Sequence, residues 1–452
     1  MRRFLALFAL AVATPTFAAE PTWQAGFARV AITPDRPMWM SGYAARTGPA
    51  DGKETDLWAK AAVLQDAGGR KLVLVTLDLV GIDRGVSQAI CKLIQDKHGV
   101  SREAVILSTS HTHCGPVVGT TLRSMYFLDA EQSARVEDYT DRLPGKILQA
   151  VDAAVAALAP VTLKSGVGKA GFAVNRRENK EKDVPDLKTG GRLKGPSDHD
   201  VPVLAAYSAD GKLRGVVFGY ACHATVLSYQ KWCGDYPGFA MIELEAAHPG
   251  AVALFFAGCG ADQNPLPRRT VELAKDYGRQ LASAVGEVLR GPMTAVAPES
   301  AAAYAEAALP LAEVPTREGL VKAALGTDKY VAARARMLLK KLEAGGSIPD
   351  AYPHYPVQAW RLGKDLTLVT LGGEVVVDYS LRLKKELGAG TWVMGYANDV
   401  MAYIPSARVL REGGYEGATS MVYYGLPSPW GPRVEEIVVA EARRQVEKVR
   451  GK

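Results

Sequence analysis

The stretch Lys71 to Val80 (KLVLVTLDLV) is apolar almost throughout, as a strand covered on both faces would be. Val105–Ser110, Val201–Tyr207, Gly215–Tyr220 and Ala251–Phe256 read the same way. Helical patterns lie between and after them, at Gly85–Lys97, Ala134–Leu158 and Thr270–Leu289. This alternation predicts an α/β fold, a layered mixed sheet with flanking helices. Pro144 should kink or divide the second helix. After a looser stretch, Thr316–Ala344 reads as helix, with Thr327 as a plausible N-cap and Gly345 as a stop. It forms a helical insertion at about 300–350. Strand patterns return at Leu366–Leu371 and Thr391–Gly395, and a last helix covers about Val434–Val449.

Residues 1–19 have the order of a secretory signal: Arg2 and Arg3, an apolar run, then small residues before Ala18 or Ala19. The expected mature chain, 20–452, is one domain, secreted or periplasmic. No later run reaches the ~18 apolar residues of a membrane span. The formal charge of +6, or +4 without Arg2 and Arg3, is a weak bias carried in small groups. It argues against nucleic-acid binding. Five cysteines, an odd number, leave at least one thiol unless chains pair. Cys222 and Cys233 bracket one short loop and are the expected disulfide. No CxxC occurs, which disfavours a thiolate zinc site.

Polar clusters follow several inferred strands, where open α/β sheets hold their ligands. Ser110-His111-Thr112-His113-Cys114 puts two histidines on one side of an extended segment. His223 follows Gly215–Tyr220, so three of the seven histidines fall just past strands. Neutral imidazole is a common metal ligand; ordinary polar residues at a loop mouth remain the alternative. Glu374, after Leu366–Leu371, is a carboxylate among apolar residues. Its burial would call for a partner or a metal, unless it merely starts a helix. Tyr403, taken alone, is as well read as a packing residue.

These motifs, taken in order, resemble the neutral, non-lysosomal ceramidase family. The resemblance runs through Gly26–Pro34, Ser41-Gly42-Tyr43, Asp78, His111–Pro116, Asn175-Arg176 and Asp200–Leu204. It continues through Cys222–Thr225, Gly234–Gly238, Gly373-Glu374, Tyr403 and Tyr415-Glu416-Gly417. It implies one zinc ion per chain, with His111, His223, Glu374 and Tyr403 as ligands. His113 would carry protons or position substrate, Arg176 would shape the polar end of the site, and Asp78 and Asp235 would orient imidazoles. Zinc-activated water would cleave an amide, ceramide giving a fatty acid and a sphingoid base.

Two departures bear on the substrate. Aligning Asp262 and Pro265 with the family's Gly-Asp-x-Ser-Pro segment puts Asn264 at the serine. An amide is no comparable nucleophile, but its NH2 donates to an oxyanion. Cys259 as a substitute nucleophile is less favoured than a buried or paired thiol. The chain also ends soon after Tyr415–Gly417, where family members usually continue into an immunoglobulin-like domain. The expected partner is a small amphiphilic lipid, with at most transient contact with a membrane surface. Other amides, esters or lactones, or a non-catalytic lipid- or glycan-binding role, are the alternatives. Met38, Trp39 and Met40 would line an apolar approach to the metal, or else pack in the core.

Overall fold

The computed structural model describes residues 22–451; the signal-peptide reading lies outside them. The main sheet is mixed. Its order is Val252–Ala257, Leu213–Tyr220, Asp200–Tyr207, Ala159–Lys169, Trp23–Ala31, Trp58–Gln65, Lys71–Leu77 and Val105–Thr109, with Thr294–Ala295 added beside Ala159–Lys169. The two outermost pairs are parallel and the inner pairs antiparallel. The parallel strands are buried along nearly their whole length, as their continuous apolar sequences require.

The sheet turns back on itself. Lys60 of Trp58–Gln65 donates to the carbonyl of Ala253, on the last strand of the other arm, at 2.9 Å. At position 215 a side chain would strike the ring of Phe27 at 2.4 Å, so Gly215 permits the two arms to pack. A second sheet runs Ser300–Pro310, Ala351–Leu362, Leu366–Leu371 and Thr391–Met394. The helix Val434–Arg450 packs against it with Val438, Val439, Ala442 and Val446 buried.

The segment after Thr391–Met394 ties both ends of the main sheet together. Gly395 N–H donates to Ala257 at 3.0 Å, and Asn398 N–H donates to Leu107 at 2.7 Å. Asn398 Oδ1 accepts from Leu107 N–H at 3.2 Å, and Thr109 N–H donates to Tyr396 at 3.2 Å. Two strand edges that would otherwise lack partners are thereby paired. The histidine-bearing ends of Val105–Thr109 and Leu213–Tyr220 come to lie on opposite sides of one short crossing.

Several expectations are corrected. Pro144 does not divide its helix, which is continuous over Ala130–Ala156 from an Asp129 cap. The 300–350 insertion is not helical throughout. Ser300–Pro310 is strand, and the helical part is two helices, Arg317–Ala324 capped by Thr316 and Lys329–Glu343 capped by Asp328 rather than Thr327. Ser300–Pro310 is rich in alanine, and pairing with Ala351–Leu362 overrides its helix propensity. Cys222 and Cys233 are unpaired, like the other three cysteines. Cys222 Sγ faces the Gln263 carbonyl at 3.9 Å, while Cys233 lies by Cys114, its N–H donating to the Cys114 carbonyl at 3.1 Å. Met38 and Met40 are core residues, at 3% and 0% exposure.

Asp399 is buried beside the crossing segment and accepts from the Tyr352 hydroxyl. Burial pushes its carboxyl up to about 7, against roughly 4 in an unfolded chain. Between those values the folded protein keeps a proton that the unfolded chain has lost. Stability therefore falls as pH rises through that window and levels off above it. Asp78, Asp235 and Asp262, each raised to about 6 by burial, act in the same direction. Asp399→Asn keeps an acceptor for Tyr352 and removes one titration. Urea unfolding at pH 5 and pH 8 should show the variant losing about 2 kcal/mol less than the parent between the two. Equal losses would contradict this assignment.

Candidate metal centre

His111 follows the edge strand Val105–Thr109 and takes φ +60, a left-handed conformation uncommon for a residue with a side chain. Strand alternation therefore does not bring His111 and His113 together. A turn held by neighbouring structure does, and such strain is characteristic of functional sites. Tyr396, itself at φ +51, lies with its ring 4.3 Å from that of His111. His223 follows Leu213–Tyr220. Glu374 and Tyr403 face each other in a two-residue parallel ladder, Glu374–Val375 beside Tyr403–Ile404.

Each of the two imidazoles is aimed by a backbone carbonyl. His111 Nδ1 lies 2.6 Å from Val80 O, and His223 Nδ1 lies 2.8 Å from Gly260 O. A carbonyl only accepts, so each Nδ1 carries a proton, and the neutral form of each ring presents its lone pair at Nε2. Asp78 and Asp235 do not orient the imidazoles as expected. Asp78 accepts from Trp58 N–H, and Asp235 from Leu227 and Tyr236 N–H, so both hold loops.

The two Nε2 atoms converge on one carboxylate oxygen, Glu374 Oε2, at 3.1 Å each. Tyr403 Oη lies 3.3 Å from His223 Nε2, and His113 Nε2 lies 3.1 Å from His111 Nε2. Burial, with Arg176 nearby, lowers His223 to about 4, so it is neutral at pH 7. The result is a concave set of electron-pair donors, nitrogen and oxygen, buried together. That is the donor chemistry of a zinc site, and the residues present fit such an ion. The nitrogens of His111, His113 and His223 alone lie within 4.8 Å of one another.

Around this centre Arg176 makes three contacts. Its Nε pairs with Glu416 at 2.7 Å, one terminal nitrogen donates to Tyr403 Oη at 3.2 Å, and the other donates to Asn264 Oδ1 at 3.3 Å. Because Arg176 engages the amide oxygen, the Asn264 Nδ2 donors are turned away from it. Asn264 sits in the short strand Gln263–Pro265, opposite Val174. Gly42, at φ +92, backs His113; a Cβ there would meet the imidazole at 2.4 Å. Tyr43 covers the same imidazole at 4.6 Å, and His113 Nδ1 is buried without a partner among the described residues. The Cys259 thiol is pushed up by burial, which leaves it a poor nucleophile.

His113, Arg176, Asn264 and Tyr403 all line one cleft of about 670 Å³. Three participants had no assigned role in the sequence: Tyr396 under His111, Glu416 on Arg176, and Tyr424, whose hydroxyl donates to Glu374 Oε1. Glu416 was visible only as part of a motif, and nothing in the sequence marks Tyr424.

The family description that matches this chain, over residues 23–261, is neutral/alkaline non-lysosomal ceramidase, N-terminal. The chain belongs to this family. Its class of reaction is hydrolysis of an amide bond. Among solved structures, neutral ceramidase from Pseudomonas aeruginosa aligns with a TM-score of 0.69 at 21% identity, covering 94% of this chain and 75% of that one. A ceramidase complexed with C2 aligns with a TM-score of 0.69 at 19% identity, covering 94% of this chain and 76% of that one. At such identities the likeness is one of fold. It extends well past residue 261, into the part of this ceramidase-family chain that carries Glu374 and Tyr403.

Tyr424 orients the carboxylate by holding the oxygen turned away from the imidazoles. In Tyr424→Phe the fold should persist, and zinc affinity should fall by about tenfold, read by competition with a chromogenic chelator. An unchanged affinity would remove Tyr424 from this role.

Proposed function

We propose that the chain is a zinc-dependent hydrolase that cleaves the amide of an N-acyl amphiphile. Ceramide is the leading substrate, giving a fatty acid and a sphingoid base. The observation that carries this reading is the meeting of two carbonyl-aimed imidazoles at one oxygen of a buried carboxylate. His111, His223, Glu374 and Tyr403 would hold the ion. When bound, zinc supplies an acidified water and a Lewis acid for the amide carbonyl.

The chain's own groups account for the remaining work. Arg176 holds Asn264 by its oxygen, leaving Nδ2–H to donate to the substrate oxygen as it gains negative charge. His113 lines the cleft beside His111 and is the group placed to pass a proton to the leaving nitrogen. Burial, with His111 and His223 close by, lowers its pKa well below the ordinary value, so it enters the cycle neutral and would readily give up any proton it takes. Glu416 anchors Arg176, whose cation also lies near the Tyr403 hydroxyl. A serine-type acylation has no counterpart here, because Asn264 offers no nucleophile.

The lining of the cleft favours a second reading within the same chemistry. Arg177, Glu178, Lys180 and Arg268 line the cleft as well, which suits a more polar amide or an ester. Export through cleavage after Ala18 or Ala19, to a secreted or periplasmic location, belongs to the same proposal; amino-terminal sequencing of the exported protein tests it.

Two variants test the centre. His111→Ala or His223→Ala should lose stoichiometric zinc by elemental analysis and lose turnover of N-acyl sphingosine. Full zinc content and activity in either variant would rule out these ligands. Asn264→Ala should retain zinc while kcat falls by about 100-fold; an unchanged kcat would show that Asn264 does not serve the oxyanion.

A further inference from the structure

A row of aromatic rings leads from the metal centre to the surface. Tyr403 lies 5.2 Å from Tyr415, Tyr415 lies 6.3 Å from Tyr423, Tyr423 lies 5.1 Å from Tyr330, and Tyr330 lies 5.8 Å from Phe127. The first ring belongs to the candidate centre, and Tyr415 lines the cleft. The last, Phe127, is 48% exposed, and Tyr415 is 40% exposed. Tyr330 and Tyr423 pack on a small floor of Val80, Leu122 and Met125. The Tyr330 hydroxyl is tied to Ala44 O at 2.8 Å, which keeps the ring in the row. Lys329 lays its side chain over both Phe127 and Tyr330. The row is assembled from three separate stretches of chain.

We propose that this row is the seat of the substrate's hydrocarbon chain. The proposal rests on the reading of the chain as a hydrolase of an N-acyl amphiphile. The cleft at the metal centre is lined mainly by charged and other polar residues and would take the polar head. The apolar approach expected at Met38–Met40 is core, so a chain of methylenes needs another surface. The aromatic row is continuous with the centre and stands on an apolar floor. Covering the partly exposed rings with methylenes removes apolar surface from water on both partners. The rings suit a flexible chain better than a sugar. Successive planes are inclined by 71°, 49°, 70° and 46°, which makes a ribbed track rather than a flat stacking platform.

Two measurements on the zinc-loaded full chain test this. The first is calorimetric titration with sodium laurate, using sodium acetate as the short control. The parent should bind laurate and not acetate, and Phe127→Ser with Tyr423→Ser should weaken laurate at least tenfold. The second is the ratio of kcat/KM for N-lauroyl over N-acetyl sphingosine, which should fall at least tenfold in the same variant. Ile242→Ser, an exposed apolar residue of the helix Asp235–Ala247 outside the row, should leave the ratio as in the parent. A parent that ignores laurate overturns the proposal, as does a variant that binds it like the parent. Binding of maltohexaose in place of laurate, or an altered oligomeric mass with unchanged laurate affinity, overturns it too. Laurate binding that depends on the rings, in a protein that cleaves neither amide, upholds the track and removes the proposed reaction instead.

Discussion

A buried carboxylate oxygen 3.1 Å from two imidazole nitrogens is the constraint on which the site turns. Each imidazole spends its Nδ1 proton on a backbone carbonyl, so neither Nε2 has a proton left to give Glu374 while the ring is neutral. Like-signed electron density buried together is costly. A cation is the species that turns this repulsion into attraction, and a phenol and a second, carboxylate-anchored cation, Tyr403 and Arg176, complete the ring of polar atoms around it. The chemistry proposed for the cleft follows from this concentration of donors.

What holds those donors together is the crossing segment 395–398. A mixed sheet with parallel pairs at both ends would leave its histidine-bearing loops far apart. Here the sheet turns back, and one short stretch hydrogen-bonds to Ala257 on one side and to Leu107 and Thr109 on the other. The cost appears as left-handed backbone at His111, Tyr396 and Asn398, on the order of 1–3 kcal/mol at each. The aromatic row begins from the same place, since Tyr403 belongs to the short ladder with Glu374 that follows the turn of the second sheet.

The strands legible in the sequence are those buried on both faces, such as Lys71–Leu77 and Val252–Ala257, because a short continuous apolar run must be covered from both sides. The antiparallel strands Ala159–Lys169 and Ser300–Pro310 have one partly wet face, small or polar residues and no strong period. Partners distant in sequence fix them, so no local signal does. The same division applies to the site. Histidines after strands announce themselves, and so does a lone glutamate in an apolar stretch. The carbonyls that aim the histidines, Val80 O and Gly260 O, carry no side-chain signature, which is why Asp78 and Asp235 were the natural but mistaken choice. The assignment of Glu374 and Tyr403 to one centre came from family resemblance, and in the fold they meet.

Anomalous diffraction above and below the zinc edge, from crystals of the purified chain, tests the central claim most directly. The account predicts one peak per chain, within bonding reach of His111 Nε2, His223 Nε2, a Glu374 oxygen and Tyr403 Oη. No peak at that point after zinc loading, or a peak bound by other side chains, would contradict it.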